Sequence, residues 1–417
     1  MDSANLPDAQ FPLQNLPLGV FRPAGGSPRG GVAIGDRILD LGAAVEAGLF
    51  AGDAEDAARA AAGAELNPLL ALGNEAASAL RRAVSDILTR GSGAESTARA
   101  CLANAADCEL LLPVRVRSFT DFLCSDEHAK RMSPTGALPR NYASIPIAYH
   151  GRATTVRASG TPLRRPNGQY PGPDGSIVYG PEPSQDFELE LGFYVGPGNR
   201  LGEPIPIGQA RDRIFGYCLL NDWSARAIQF WEGQPLGPFL GKSLMTSVSP
   251  WIVTAEALAP FALPARRKPP DAASPPHLVD PDDQSSGRLT LELSADWATE
   301  AMRLAGSAPQ TVTRTDFGTA WWTPAQMLAH HTSNGCELEP GDLFGTGTLS
   351  GPERGSWACL AELSEKGKAP IDLGGESRTF LEDGDEIVFR GRAAKEGFVP
   401  VGFGECRGRI LPALPLA

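Results

Sequence analysis

Unlike polar groups are packed most densely between Leu219 and Trp251, where Asn221, Asp222, Arg226, Gln229 and Lys242 alternate with Trp223, Phe230, Trp231 and Phe239. A charge set among large apolar side chains must be paired or must hold something, because burial strips it of water. Upstream, Asp186-Phe187-Glu188-Leu189-Glu190-Leu191 alternates acid with apolar residue. On a β-strand this period places Asp186, Glu188 and Glu190 on one face and Phe187, Leu189 and Leu191 on the other. Neighbours on such a face stand roughly 6.5–7 Å apart. The acids are then either the outer face of a half-exposed sheet or a row converging on a cation. Asp222, set between the apolar run ending at Leu220 and Trp223, favours the cation. An oxygen-only donor set of this kind suits Mg²⁺ or Ca²⁺ and not zinc.

A third segment, Phe119-Thr120-Asp121-Phe122-Leu123-Cys124-Ser125-Asp126-Glu127-His128, supplies another aspartate between aromatics and then a histidine. Histidine is the usual general base at neutral pH. Asp126 and Glu127 are expected to be solvated. The arginines around Tyr149-His150-Gly151-Arg152 and Arg164-Arg165 could bind a carboxylate or pair with surface acids, and spacing does not separate the two. Gly345-Thr346-Gly347-Thr348-Leu349-Ser350-Gly351 lacks the Gly-Lys-Ser/Thr of a phosphate loop, so its glycines mark a close approach of backbone to a ligand or a tight turn. No Gly-x-Ser-x-Gly elbow is present, which argues against a serine hydrolase.

The elements that must position these groups are mainly β. The chain has 417 residues, 42% of them hydrophobic, enough for a large core and two domains. The composition shifts near Leu110-Leu111-Leu112-Pro113, placing the domains at 1–112 and 113–417. In the first, short apolar runs flank a turn at Gly35-Asp36, and helices are expected over Ala51–Ala64 and Asn74–Arg90, the latter capped by Asn74. The second is rich in short strands and Gly/Pro turns. Residues 259–287 read as an exposed Pro- and Asp-rich insertion, and Thr323-Pro324-Ala325-Gln326 opens a helix with a capping box, putting His330 and His331 at its end in structural roles. Seven scattered cysteines, with no CxxC pair, point to a reducing compartment and away from disulfides or a thiolate metal site. With no membrane-length apolar run and no signal-peptide pattern, a cytoplasmic protein is expected. A net charge of −12 without a basic stripe disfavours nucleic acid as a partner.

Asn221-Asp-Trp-Ser-Ala-Arg226, Gly237-Pro-Phe-Leu-Gly-Lys242-Ser, Asp186-x-Glu188-x-Glu190, Tyr149-His-Gly-Arg-Ala, Gly345-Thr-Gly-Thr348-x-Ser-Gly-Pro-Glu353 and Phe11-Pro-Leu-Gln-Asn-Leu-Pro17 together resemble the fumarylacetoacetase family, end to end. The resemblance implies an N-terminal SH3-like barrel domain with helices, a C-terminal mixed β-roll, and a homodimer. It also implies hydrolysis of a carbon–carbon bond in a β-diketo acid, fumarylacetoacetate or a close analogue. The alternative is a paralogue that cleaves, decarboxylates or isomerises a bulkier β-keto substrate.

By the same resemblance Asp121, Glu188, Glu190 and Asp222 bind Mg²⁺ or Ca²⁺, while Lys242 and Thr246 match positions linked to a second cation. His128 matches the general base and Glu362 the acid that orients it. Arg226, Gln229 and Lys242 match the groups that stabilise the oxyanion and the departing carbanion, and Gln229 and Thr348 match substrate contacts. Departures fall where substrate is held. Leu123 and Gly233 stand at positions of substrate-binding tyrosines, and Lys130-Arg131-Met132-Ser133-Pro134 replaces an arginine-bearing loop, leaving Arg131 or Arg140 to clamp the substrate carboxylate.

Overall fold

The structure, a computed structural model, describes residues 2–269, 272 and 274–416. The expected turn at Gly35 joins strands Arg29–Ile34 and Arg37–Asp40, paired from Ile34↔Arg37 to Gly31↔Asp40. Strand Leu18–Pro23 pairs with the first of these and with Cys108–Leu111. Helices Asp53–Ala61, Asn67–Leu72 and Asn74–Leu88 cover this unit, the last burying Ala77, Leu80, Val84, Ile87 and Leu88. Asn74 does not cap its helix. Its amide instead donates to the carbonyls of Asp212 (3.2 Å) and Ile214 (3.1 Å), tying the helix to the larger part of the chain.

Leu18–Pro23 also pairs with Trp251–Thr254, through Leu18↔Ile252, so one sheet runs from the N-terminal unit into the rest of the chain. Its central strands are Ile214–Asp222, Leu189–Val195, Leu343–Gly345, Phe119–Phe122 and Ala148–Gly151. Both faces of Leu189–Val195 are buried, which removes the half-exposed reading of the acidic row. A second sheet, built from Gln310–Asp316, Glu292–Ala298, Glu386–Ala393, Val401–Leu411 and Leu163–Arg164, packs against the first. Phe187 and Phe389 meet across the gap with ring centroids 5.6 Å apart.

The stretch 259–287 is not a free insertion, although residues 270, 271 and 273 within it lie outside the described residues. Ala262–Leu263 pairs with Arg288–Leu289, Phe261, Leu278 and Asp283 are buried, and Asp280 caps helix Pro281–Ser286. Its polar composition hid a few apolar anchors and one long-range ion pair, Arg266 with Asp126 (2.6 Å). Asp126 is therefore buried and paired, not solvated. Helix Pro324–Thr332 carries the expected capping box. No helix among the described residues is long and apolar enough to cross a membrane.

Candidate active site

Three strands bring the acids together. Asp121 leaves strand Phe119–Phe122, Glu190 lies in Leu189–Val195, Glu188 just precedes it, and Asp222 ends Ile214–Asp222. Asp121, Glu188 and Glu190 converge with donor oxygens within 4.8 Å of one another, all buried. Glycine makes the convergence possible: a Cβ on Gly345 would meet Asp121 Oδ1 at 2.4 Å and Glu190 Oε2 at 2.9 Å. The Gly347 N–H donates to the same two oxygens, at 3.2 and 3.0 Å, from a backbone with φ of 78°.

Burial, then the charge of Asp222, pushes Asp121 well above the usual carboxylate range. Burial and the charges of Asp121 and Glu188 do the same to Glu190. Glu190 Oε1 is buried with no hydrogen-bond partner among the described residues. A buried set of repelling carboxylates with an orphaned oxygen is what a hard divalent cation would satisfy, so the residues fit Mg²⁺ or Ca²⁺.

Asp222 stands beside this trio rather than within it. Lys242 Nζ donates to its Oδ2 at 2.9 Å, the Tyr149 hydroxyl donates to the same oxygen, and Thr246 Oγ1 donates to Oδ1 at 2.8 Å. Lys242 also pairs with Glu188, and Arg226 Nη2 lies 2.8 Å from Glu188 Oε1. Although burial pushes the Glu188 carboxyl up, Lys242 and Arg226 outweigh it and hold the group below its ordinary range. Asp186, the first acid of the alternating row, is absent from the cluster. It accepts from Arg226 Nε (2.8 Å) and from the backbone N–H of Leu360 (2.6 Å) and Ala361 (2.9 Å). That pairing consumes it as a brace for the arginine.

His128 opens the second half of the site. Ser125 caps helix Asp126–Met132 through the His128 N–H, fixing the first turn on which the ring sits. Its Nδ1 lies 2.9 Å from Glu362 Oε2, and both side chains are buried. Glu362 is held down to about 2: burial pushes it up, but the facing His128 and hydrogen bonds from His128, Ser350 and Arg131 prevail. Arg131 is spent on this carboxylate, with Nη1 3.0 Å from Glu362 Oε1 and Nη2 donating to Glu127, Gly351 and Pro352.

A cavity of about 730 Å³ joins the two halves, lined by Asp121, His128, Glu188, Arg226, Gln229 and Lys242, and by Leu123, Tyr149, Phe230 and Thr348. Gln229 accepts from Arg226 Nη1 at 3.2 Å, and the buried Thr348 hydroxyl has no partner among the described residues. Of the expected substrate contacts, Leu123, Gln229 and Thr348 line the cavity, whereas Gly233, Arg131 and Arg140 do not. Thr246 supports Asp222 from behind.

Residues 14–113 match the family described as fumarylacetoacetase N-terminal, and residues 117–411 match fumarylacetoacetate (FAA) hydrolase C-terminal. The chain belongs to the fumarylacetoacetase family. The fumarylacetoacetase of Oryza sativa subsp. japonica is 44% identical, with 98% of this chain and 96% of that protein aligned. Its Homo sapiens counterpart is 43% identical over 98% and 97% of the two chains. A solved fumarylacetoacetate hydrolase from psychrophilic Exiguobacterium antarcticum shares the fold, with a TM-score of 0.54 at 16% identity over 95% of this chain and 99% of that one. Within this family setting two residues went unread in sequence. Tyr149 was visible only as part of its Tyr-His-Gly-Arg motif, and Ser350 only as a serine among glycines. Their roles arise from partners 73 and 12 residues away.

Proposed function

We propose that the protein hydrolyses the carbon–carbon bond of fumarylacetoacetate, or of a close β-diketo acid, giving fumarate and acetoacetate. Near-full-length relatives named fumarylacetoacetase support this class, that of hydrolases acting on carbon–carbon bonds in ketonic substances. The observation that carries the reading in this chain is the buried His128–Glu362 pair, whose histidine faces the same cavity as Asp121 and Glu188 of the carboxylate trio.

With Nδ1 committed to Glu362, His128 is left with Nε2 to take a proton from water. The ionised Glu362 stabilises the imidazolium that results. Water adds to the carbonyl carbon and the carbon–carbon bond breaks. The electron pair leaves on the acetoacetate carbon, which takes a proton in turn. Arg226, Lys242 and Gln229 supply positive charge and hydrogen bonds where negative charge develops. Asp121, Glu188 and Glu190, joined by Asp222, would hold Mg²⁺ or Ca²⁺, which when bound shares the charge on the dicarbonyl oxygens.

The finer architecture belongs to the same reading. Residues 1–112 form an SH3-like barrel unit, supported by the five mutually paired strands before Pro113, and 113–417 form the β-roll. The protein acts as a homodimer in the cytoplasm, where seven free cysteines stay reduced. Ultraviolet monitoring of fumarylacetoacetate with added Mg²⁺ or Ca²⁺, with both products quantified, tests the assignment. Folded protein that forms neither fumarate nor acetoacetate would overturn it.

A further inference from the structure

The spacing of the cysteines suggests no thiolate metal site, but folding builds a mixed one. His128, Cys359 and Glu362 present a ring nitrogen, a thiol sulfur and a carboxylate oxygen within 4.8 Å of one another, all buried. Cys359 Sγ lies 3.3 Å from Glu362 Oε2, the oxygen that also receives His128 Nδ1 at 2.9 Å. Tetrahedral zinc, with bonds of about 2.0–2.3 Å, separates its donors by roughly 3.3–3.6 Å, so only small side-chain shifts are needed. We propose that His128, Cys359 and Glu362 form a second metal site, selective for zinc-group cations, through which such ions inhibit the enzyme.

The chemistry of the donors separates this site from the oxygen-only trio. Nitrogen and sulfur favour Zn²⁺ and Cd²⁺, while Mg²⁺ and Ca²⁺ have little affinity for them. The two sites are neighbours, because the backbone of Glu188 bridges to that of Cys359. Access comes through the cavity, whose wall includes His128. On binding, the thiol gives up its proton to solvent, the ion takes His128 Nδ1, and the ring proton moves from Nδ1 to Nε2, the atom that would otherwise accept from water. The base can then no longer accept a proton from water, so occupation blocks turnover while the trio keeps its own ion.

The test begins with direct binding, which needs no turnover and so stands apart from the proposed function. Cd²⁺ is titrated into Mg²⁺-saturated protein and the sulfur-to-cadmium charge-transfer absorbance is followed, in wild type and in Cys359→Ser. A saturable band present in wild type and missing from the variant is expected. In parallel, Zn²⁺ inhibition at fixed Mg²⁺ is measured relative to each protein's own uninhibited rate. Loss of the soft donor should weaken it by at least about tenfold. Cys359→Ala repeats both comparisons should the serine variant fail to fold. An unchanged cadmium band in the variants would overturn the proposal. So would undiminished zinc inhibition, which would place the inhibiting ion on the Asp121, Glu188 and Glu190 carboxylates.

Discussion

Arg226 holds two carboxylates at once, with Nε 2.8 Å from Asp186 Oδ2 and Nη2 2.8 Å from Glu188 Oε1. One of these acids belongs to the carboxylate trio and the other supports the arginine that holds it. Removing Asp186 would strip a buried guanidinium of one of its two carboxylates and free the backbone N–H groups of Leu360 and Ala361, at the head of the short helix that carries Glu362. Breaking such a pair costs about 3–5 kcal/mol. Urea unfolding of Asp186→Ala should show a loss of that order, together with lowered activity. A loss below about 1 kcal/mol would mean the pair is not a brace.

Removal of the divalent ion should reveal the repulsion within the trio. An ion that binds only the folded state stabilises it by about 2.7 kcal/mol at a hundredfold excess over Kd. Chelation should therefore lower Tm and abolish turnover, and Mg²⁺ or Ca²⁺ should restore both. Metal analysis of active protein showing no stoichiometric divalent ion would remove the cation from the account.

His331 provides a titration outside the carboxylate cluster itself. Its ring packs on Phe344 (centroids 4.9 Å) with Nε2 3.0 Å from Thr120 Oγ1, and burial, then the nearby His150 and His330, lower its pKa to about 4. Between pH 6.5 and 4 the unfolded chain binds a proton that the folded ring refuses. Stability from this group is thus complete above about pH 6.5 and is lost as pH falls through 4, by at most about 3 kcal/mol. Urea unfolding across that window should show the decline, and His331→Gln should flatten it. An equal slope in the variant would assign the decline to other groups.

Arg131 and Leu123 should separate kinetically. Arg131 contacts Glu362 and lies off the cavity wall, so Arg131→Ala should lower kcat, by roughly tenfold, and leave KM nearly unchanged. Leu123 lines the cavity, and Leu123→Tyr, which adds a hydroxyl for the substrate, should act chiefly on KM. The reverse pattern, with KM rising in Arg131→Ala, would return the arginine to the substrate.

Local patterns predicted local structure well. The Gly35 hairpin and the Thr323–Gln326 capping box formed as their residues dictate, because the partners lie within a few residues. The alternating acids likewise announced Glu188 and Glu190, but the same alternation included Asp186, whose partner Arg226 is 40 residues away. Periodicity gives the face of a strand, not what waits opposite it. Asp126 was misread as solvated for the same reason: Arg266, 140 residues on, sits in a stretch whose composition suggested a loose insertion. Arg131 resembled a substrate clamp until folding set Glu362, 231 residues distant, against it.

The central claim is that His128, oriented by Glu362, drives the hydrolysis. The most direct measurement is kcat of His128→Ala on fumarylacetoacetate, using folded protein that retains its full complement of divalent ion. A fall of at least roughly 10²-fold is expected, with a milder loss in Glu362→Gln, whose amide can still orient the ring but cannot stabilise the imidazolium. An undiminished rate in His128→Ala would contradict the account.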